Sequence, residues 1–119
     1  MTNTLNTEPS CLFCRIVRRE IPSTPVFEDD EFLAFRDIAP KAPTHVLVIP
    51  KVHLAKLGDA TPADAPLLAR LFIAVAKVAA QEKAGDYRLV LNSGERAGQS
   101  VFHLHVHLLA GRSFGWPPG

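Results

Sequence analysis

Apolar positions recur along the chain with two periods, one of two residues and one close to 3.6 residues. The period of two is clearest in residues 101–110, where His103, His105 and His107 alternate with leucine and valine. Successive side chains of a β-strand point to opposite faces, so this spacing places the three imidazoles on one face. We therefore predict a strand with one apolar face and one reactive face.

Four other short apolar runs also have the character of strands. They cover residues 25–28, 31–36, 45–49 and 87–92. The first two are separated by the acidic pair Asp29-Asp30, a turn signal that predicts a hairpin. Residues 45–49 read His-Val-Leu-Val-Ile, which is typical of a buried strand.

Two segments have helical character. A short helix is predicted from an N-cap at Ser10 to about Glu20. A long amphipathic helix is predicted within residues 61–84, and its first regular turn is expected after Asp64 because Pro66 would disrupt an interior turn. Five strands with helices inserted between them predict an α+β domain with a mainly antiparallel sheet.

Length, composition and charge narrow the possible partners. The chain has 119 residues, of which 47% are hydrophobic and 21% charged, as expected for one folded domain. Its formal net charge of +1 provides no basic surface for nucleic acid or an anionic membrane. The first ten residues lack the apolar core of a signal peptide, and every apolar stretch is far shorter than the roughly 18 residues that cross a bilayer. We expect a cytoplasmic protein with a flexible tail at residues 1–9, one domain over residues 10–119, and a C-terminal tail at residues 112–119.

The histidine row indicates chemistry, because it contains three of the five histidines in the chain. One interpretation is a catalytic metal centre, in which a His-x-His pair and a distant histidine leave a fourth position open. The other is phosphoryl transfer, in which a neutral imidazole attacks phosphorus and its neighbours stabilise the phosphate oxygens. The glycine-rich turn at residues 92–100 lies directly upstream and favours a phosphate, because glycines let backbone amides approach an anion closely.

The segment Gly98-Gln-Ser-Val-Phe-His-Leu-His-Val-His-Leu-Leu109 carries a His-x-His-x-His-x-x motif in which x is apolar. This motif resembles the signature of the histidine triad superfamily, and similar matches cover nearly the whole chain after residue 10. They are Ile21-Pro22, Phe27-Glu-Asp-Asp30, Leu33-Ala-Phe-Arg-Asp-Ile38 and Ala42-Pro-Thr-His-Val-Leu-Val-Ile-Pro-Lys51. The end Trp116-Pro-Pro-Gly119 resembles the branch of small nucleotide-binding proteins that hydrolyse nucleoside phosphoramidates more than the dinucleoside polyphosphate hydrolase branch. The resemblance implies a single HIT-like domain.

The resemblance implies distinct roles for the histidines. It makes His105 the nucleophile, which attacks the α-phosphorus and forms a nucleotidyl-histidine that water hydrolyses. The backbone carbonyl of His103 would orient His105, and His107 would donate a hydrogen bond to the phosphate. His45 would support this network from a neighbouring strand, and Ser100 would lie near the leaving group.

A nucleoside pocket is implied in the same way, with the Asp37 carboxylate accepting hydrogen bonds from the ribose. The implied apolar slot for a purine base is formed by Phe13, Ile16, Phe35, Ile38 and Leu47. The implied phosphate contacts come from the turn and its flanks, namely Asn92, Gly98, Gln99, Ser100 and Val101.

Both cysteines lie in one Cys11-Leu-Phe-Cys14 unit, which suits either a redox pair or half of a metal site. A thioredoxin-like redox motif follows a strand, and no strand is predicted before residue 11. The resemblance to bacterial triad proteins implies a zinc ion held by Cys11, Cys14, His53 and His103. Four such ligands fill a structural site and leave no open position for catalysis. An unmetallated pair remains the alternative, since animal members of the branch lack the cysteines.

The resemblance further implies a homodimer, which the long amphipathic helix and the C-terminal tail could join. It implies a purine nucleoside phosphoramidate as substrate and neither a nucleic-acid nor a membrane partner. Three other functions stay open: a nucleotide-binding or regulatory module with little turnover, a dinucleoside polyphosphate hydrolase, and a metal-dependent hydrolase with the triad as ligands.

Overall fold

The fold was analysed on a computed structural model, which describes residues 7–119. The flexible tail predicted at residues 1–9 therefore falls mostly outside the described residues, and residues 7–9 belong to no helix or strand. The regular elements are α1 (Leu12–Val17), β1 (Pro25–Glu28), β2 (Phe32–Arg36), β3 (Thr44–Pro50), α2 (Ala65–Gln81), β4 (Tyr87–Val90) and β5 (Val106–Ala110). Single 3-10 turns lie at Leu57–Asp59, Pro62–Asp64 and Glu95–Ala97.

The five strands form one antiparallel sheet in the order β1-β2-β3-β5-β4, which confirms the predicted α+β domain. In the register of β3 and β5, Leu47 lies opposite His107 and His45 lies opposite Leu109. Directly opposed residues share a face of the sheet, as do residues two apart on one strand. His45 and His107 are therefore diagonal neighbours on the same face.

Each face of the sheet is covered by a helix. Helix α2 packs on one face through Leu71, Val75 and Val78, which form a buried cluster with side chains of β2, β3 and β5. Helix α1 covers the opposite face, where Phe13 and Ile16 join a second cluster with Phe35, Leu47 and their neighbours. Each fully buried apolar side chain contributes about 1.5–3 kcal/mol. The α1 face also carries the histidines, so the candidate site lies between α1 and the sheet.

The ends of the two helices show where local sequence signals predict a helix boundary correctly and where they do not. Helix α1 is capped by Cys11, whose sulfur accepts the Cys14 N–H at 3.4 Å, so the predicted cap at Ser10 is wrong. Its predicted end near Glu20 is also wrong, because the helix stops at Val17 and Arg19 adopts a left-handed φ of 63°. Helix α2 begins at Ala65, after a capping box that spans the 3-10 turn before it. Its delayed start was predicted correctly.

The histidine strand is shorter than predicted. Strand β5 starts at Val106, and residues 101–105 are irregular. The reason is that this segment bonds to the loop after β3, where the Leu104 N–H donates to the Leu54 carbonyl at 2.7 Å. The predicted alternation of faces is nevertheless confirmed: Leu104 joins the α2-side cluster, while the rings of His103 and His105 contact Phe13. Strand β4 also ends early, at Val90.

In the part of the chain that the structure describes, neither helix combines the length and apolar character that crossing a bilayer requires.

Candidate functional site

A cavity of about 390 Å³ opens between α1 and the sheet. It gathers most of the side chains that the sequence analysis assigned to a nucleotide. These are Phe13, Ile16, Phe35, Asp37, Ile38, Leu47, Ser100, Val101, His105 and His107. One end is apolar and the other carries the histidines, as an amphiphilic ligand such as a nucleotide requires.

Three predicted phosphate contacts do not line this cavity: Asn92, Gly98 and Gln99. The Gln99 side chain is buried, where its carbonyl accepts the Gly94 N–H at 2.8 Å and its amide donates to the Ala55 and Val101 carbonyls. The backbone N–H groups of Gly98 and Gln99 are also used within the turn. Of this loop, Ser100 and Val101 reach the cavity, and the other residues shape it.

Four residues that line the cavity were not predicted from the sequence: Leu12, Ile21, Pro22 and Arg36. Arg36 and the Ile21-Pro22 pair lie inside segments that carried the family resemblance, so their position was a usable signal. Leu12 gave none, because an apolar residue next to Phe13 in a short helix is indistinguishable from core by pattern.

The tautomer of His105 is set by the backbone. Its Nδ1–H donates to the carbonyl oxygen of His103 at 2.7 Å, since a carbonyl can only accept. Nε2 of His105 therefore keeps its lone pair. Burial lowers the pKa of His105, so the ring is neutral near pH 7. The ring is 7% exposed and stands edge-on to Phe13, which fixes the direction of the free nitrogen. This arrangement suits a nucleophile.

A second chain of hydrogen bonds sets the tautomer of His107. The Lys41 backbone N–H donates to Nδ1 of His45 at 3.0 Å, which leaves the His45 proton on Nε2. That proton is donated to Nδ1 of His107 at 2.9 Å, so His107 carries its own proton on Nε2. Burial, followed by the charges of His105 and His45, lowers the pKa of His107 to about 4. At neutral pH, His107 is an uncharged hydrogen-bond donor.

The same tautomers bear on the metal-dependent interpretation of the triad. One ligand atom each from Asp37, His45 and His107 lies within 4.8 Å of the others, close enough to surround an ion. In a neutral His45 whose Nδ1 accepts a backbone N–H, however, Nε2 bears a proton and offers no lone pair. Nδ1 of His107 accepts the hydrogen bond from that proton, so its lone pair is also engaged. The contacts therefore favour a hydrogen-bond network here over a metal site.

Cys11, Cys14, His53 and His103 form a separate cluster whose ligand atoms all lie within 4.8 Å of one another. Nδ1 of His103 is 3.4 Å from both sulfurs, and Nδ1 of His53 is 3.4 Å from that of Cys14. In a tetrahedral Zn²⁺ site, bond lengths of about 2.3 Å to sulfur and about 2.05 Å to nitrogen imply sulfur–nitrogen edges of about 3.5 Å. The four residues fit such an ion.

The protonation of this cluster also suits a metal. Nε2–H of His103 donates to the Pro50 carbonyl at 2.7 Å, which leaves the Nδ1 lone pair directed at the cysteines. Burial lowers the pKa of His103 to about 4 and raises that of Cys14 to about 11. A metal has to displace the thiol protons, so its binding depends on pH. Two histidines beside both sulfurs favour metal binding over a redox role for the cysteines.

His103 connects the two centres. Its ring belongs to the cluster with Cys11 and Cys14, and its carbonyl accepts the hydrogen bond from Nδ1–H of His105 that defines the tautomer of that ring. Whatever immobilises the His103 ring also holds the orienting carbonyl in place. The three alternating histidines thus have three different surroundings.

Comparison with known proteins finds relatives that match most of this chain. A family model described as "Scavenger mRNA decapping enzyme C-term binding" matches residues 10–115. An uncharacterized HIT-like protein of Synechocystis is 54% identical over 109 residues, which cover 91% of this chain and 96% of the relative. The 14 kDa zinc-binding protein of Zea mays is 50% identical over 111 residues, covering 91% of this chain and 87% of the relative.

Solved structures resemble the whole fold. A HIT family hydrolase from Legionella pneumophila has a TM-score of 0.90 and 52% identity, over 92% of this chain and all of that one (100%). A HIT family hydrolase from Clostridium thermocellum has a TM-score of 0.88 and 45% identity, over 92% of this chain and 96% of that one.

Proposed function

Because this chain belongs to the histidine triad (HIT) family, we propose that it hydrolyses the P–N bond of purine nucleoside phosphoramidates through a nucleotidyl intermediate on His105. One observation carries this proposal. The 2.7 Å hydrogen bond from Nδ1 of His105 to the His103 carbonyl leaves a neutral, unprotonated Nε2 on a residue that lines a nucleotide-sized cavity. Such a nitrogen is the nucleophile that attack on phosphorus needs.

The proposed reaction consists of two displacements at phosphorus. Nε2 of His105 attacks the α-phosphorus, the P–N bond breaks, and the amine leaves with a proton taken from water. Water then attacks the nucleotidyl-histidine, which breaks the bond between His105 and phosphorus, releases the nucleoside monophosphate and returns the proton to solvent. One water is added across the P–N bond overall, so atoms and charge balance without an oxidant or reductant.

The surrounding residues support this chemistry. The Nε2–H of His107 is placed to donate to a phosphate oxygen, whose charge increases in the transition state. Phe13 and Phe35 stand edge-to-face at 5.4 Å and form the apolar wall against which we place the base. One oxygen of the Asp37 carboxylate accepts a hydrogen bond from the Ala39 N–H. We propose that the carboxylate also accepts hydrogen bonds from the ribose hydroxyls. The purine preference is proposed on the family resemblance, because apolar walls discriminate weakly between bases.

Replacement of the nucleophile tests this function. We expect His105→Ala to lower kcat for adenosine 5′-phosphoramidate by at least about 10⁴-fold, because removal of a nucleophile ends covalent catalysis. Binding of AMP, measured by calorimetry, should change far less, since the base and ribose contacts remain. A wild-type protein that binds AMP but does not cleave phosphoramidates would instead identify a binding module.

We further propose that Cys11, Cys14, His53 and His103 hold zinc. The 3.4 Å edges of the cluster and the name of the maize relative support this assignment. Bound zinc would supply a rigid link among α1, the loop after β3 and the segment before β5. With four protein ligands it has no open position, so the chemical step belongs to His105.

We also propose a homodimer. Strand β4 is at the edge of the sheet, and Tyr87 and Leu89 on it are 41% and 37% exposed. On α2, the element that precedes β4 in the chain, Phe72 and Ile73 are 43% and 59% exposed. An unpaired strand edge together with exposed apolar side chains suits a two-fold contact between copies of this chain.

A further inference from the structure

A second cavity, of about 460 Å³, lies beside the nucleotide cavity. The two cavities share three wall residues, Leu12, Ser100 and Val101, while His105 lines the first alone. The second cavity thus adjoins the first at these three residues, and the resemblance implies that one of them, Ser100, lies near the leaving group. A leaving group departs roughly opposite to the attacking atom, into space that the nucleophile does not line. This cavity is the adjoining space that a group leaving phosphorus can enter.

Glu8 gives the second cavity its charge. Among residues 7–119, the lining includes no lysine or arginine, and Glu8 is its one carboxylate. The nearby Arg18 guanidinium is engaged by Glu20, at 2.7 Å, and by the Pro9 carbonyl. The titratable side chains that share the wall, those of Cys11 and His53, belong to the proposed zinc cluster. The cavity consequently has negative character.

The position of Glu8 is fixed by its backbone. Its N–H donates to the Cys14 sulfur at 3.3 Å, and its carbonyl accepts the Cys11 N–H at 3.1 Å. The Ser10 hydroxyl donates to the Glu8 carboxylate at 3.4 Å. Two of these three contacts hold the Glu8 backbone against the cysteine cluster, and its exposed side chain lines the cavity from that anchored position.

We propose that the second cavity receives the leaving amine and that Glu8 selects amines which carry an additional positive charge. This inference rests on the proposed phosphoramidate hydrolysis, since it names the substrate class of that reaction. A cationic tail is attracted by the Glu8 carboxylate, whereas an anionic tail is repelled. A departing nucleotide would bring several negative charges into the same cavity, so dinucleoside polyphosphates are disfavoured.

A matched set of leaving groups tests the proposal. Adenosine 5′-phosphoramidates of 1,5-diaminopentane, 1-aminohexane and 6-aminohexanoate have tails of similar length that end in a positive, a neutral and a negative group. We expect wild-type kcat/KM to fall in that order, by about three- to fivefold per step, as is typical of an exposed charge pair. In Glu8→Gln the three values should converge. High salt should compress the wild-type series, because the pair is accessible to ions.

Two controls separate the possible failures. Asp30→Asn removes one exposed acidic charge from the β1–β2 turn and should keep the wild-type order. Zinc content and the melting temperature of Glu8→Gln should match those of wild type, because its backbone contacts remain. A wild-type enzyme that ignores tail charge, or a Glu8→Gln enzyme that keeps the wild-type order, overturns this inference alone. If His105→Ala cleaves all three substrates at wild-type rates, the proposed function itself is wrong.

Discussion

At the scale of single residues, each triad histidine is specialised by the atom that its ring contacts. His105 donates to a carbonyl, His107 accepts a hydrogen bond from His45, and His103 faces sulfur. Their alternation and a shared face were readable from the sequence, because a period of two is a backbone property. The tautomers of His103 and His107 were not, because they depend on partners remote in sequence, the Pro50 carbonyl and, through His45, the Lys41 N–H. The orientation of His105 by the His103 carbonyl was implied by the family resemblance.

The half-buried His107 should make stability depend on pH. Burial lowers its pKa to about 4 from an ordinary value of 6.5. Between those values the unfolded chain binds more protons than the folded one, so stability falls as pH falls through this window. We expect His107→Asn to be less stable than wild type at pH 7.5, with the gap narrowing toward pH 4.5. Urea unfolding at several pH values measures it, and a gap independent of pH would contradict the assignment.

At the scale of elements, the sequence predicted those with strong local periodicity and misjudged those held by distant contacts. Helix α2 and its delayed start follow from the proline and the capping box. Helix α1 begins one residue later than predicted because its cap is Cys11, which belongs to the proposed zinc cluster. Residues 101–105 leave the sheet because they bond to the loop that carries His53. Both errors therefore surround the candidate site.

The turn after β5 should tolerate no side chain. Gly111 has a φ of 96°, and a Cβ there would lie 2.8 Å from the Pro43 ring, in the loop that precedes His45. We expect Gly111→Ala to lower the free energy of unfolding by about 2–3 kcal/mol, since left-handed strain and a clash add. Gly115→Ala is the matched control, with open space around its Cβ, and should change little. Equal effects of the two variants would refute the tight turn.

At the scale of the molecule, one sheet separates an apolar core under α2 from a reactive layer under α1. The α+β class followed from the order of elements along the chain. The cluster of residues 11, 14, 53 and 103 was predicted only through the family resemblance, because these residues come together only in the folded protein. The second cavity had no sequence signal, since its wall combines the N-terminal segment with two separate loops.

Metal removal should affect stability before chemistry. We expect a chelator to lower the melting temperature of wild type by more than about 10 °C, because a ligand that binds only the folded state stabilises it by mass action. Without chelator, Cys14→Ser should already have a lower melting temperature than wild type. Added chelator should change that melting temperature little. Catalysis that stops while the melting temperature is unchanged would instead place the metal in the chemical step.

The exposed apolar side chains of β4 and α2 should determine the oligomeric state. We expect Ile73→Glu to yield a monomer by light scattering, because it buries a charge in the proposed contact. Ile38→Glu replaces a more exposed isoleucine, which lines the proposed nucleotide cavity, and should leave the dimer intact. A monomeric wild-type protein, or a dimer unaffected by Ile73→Glu, contradicts the proposed interface.

The identity of the histidine that becomes labelled during turnover shows which residue attacks phosphorus. A reaction with adenosine 5′-phosphoramidate is quenched within the first turnover at alkaline pH, digested with trypsin and sequenced by tandem mass spectrometry. Cleavage after Arg96 and Arg112 yields one peptide with all three triad histidines, so fragmentation assigns the label within it. We expect an adenylyl group on His105. An adenylyl group on His103, His107 or His45 would contradict this expectation.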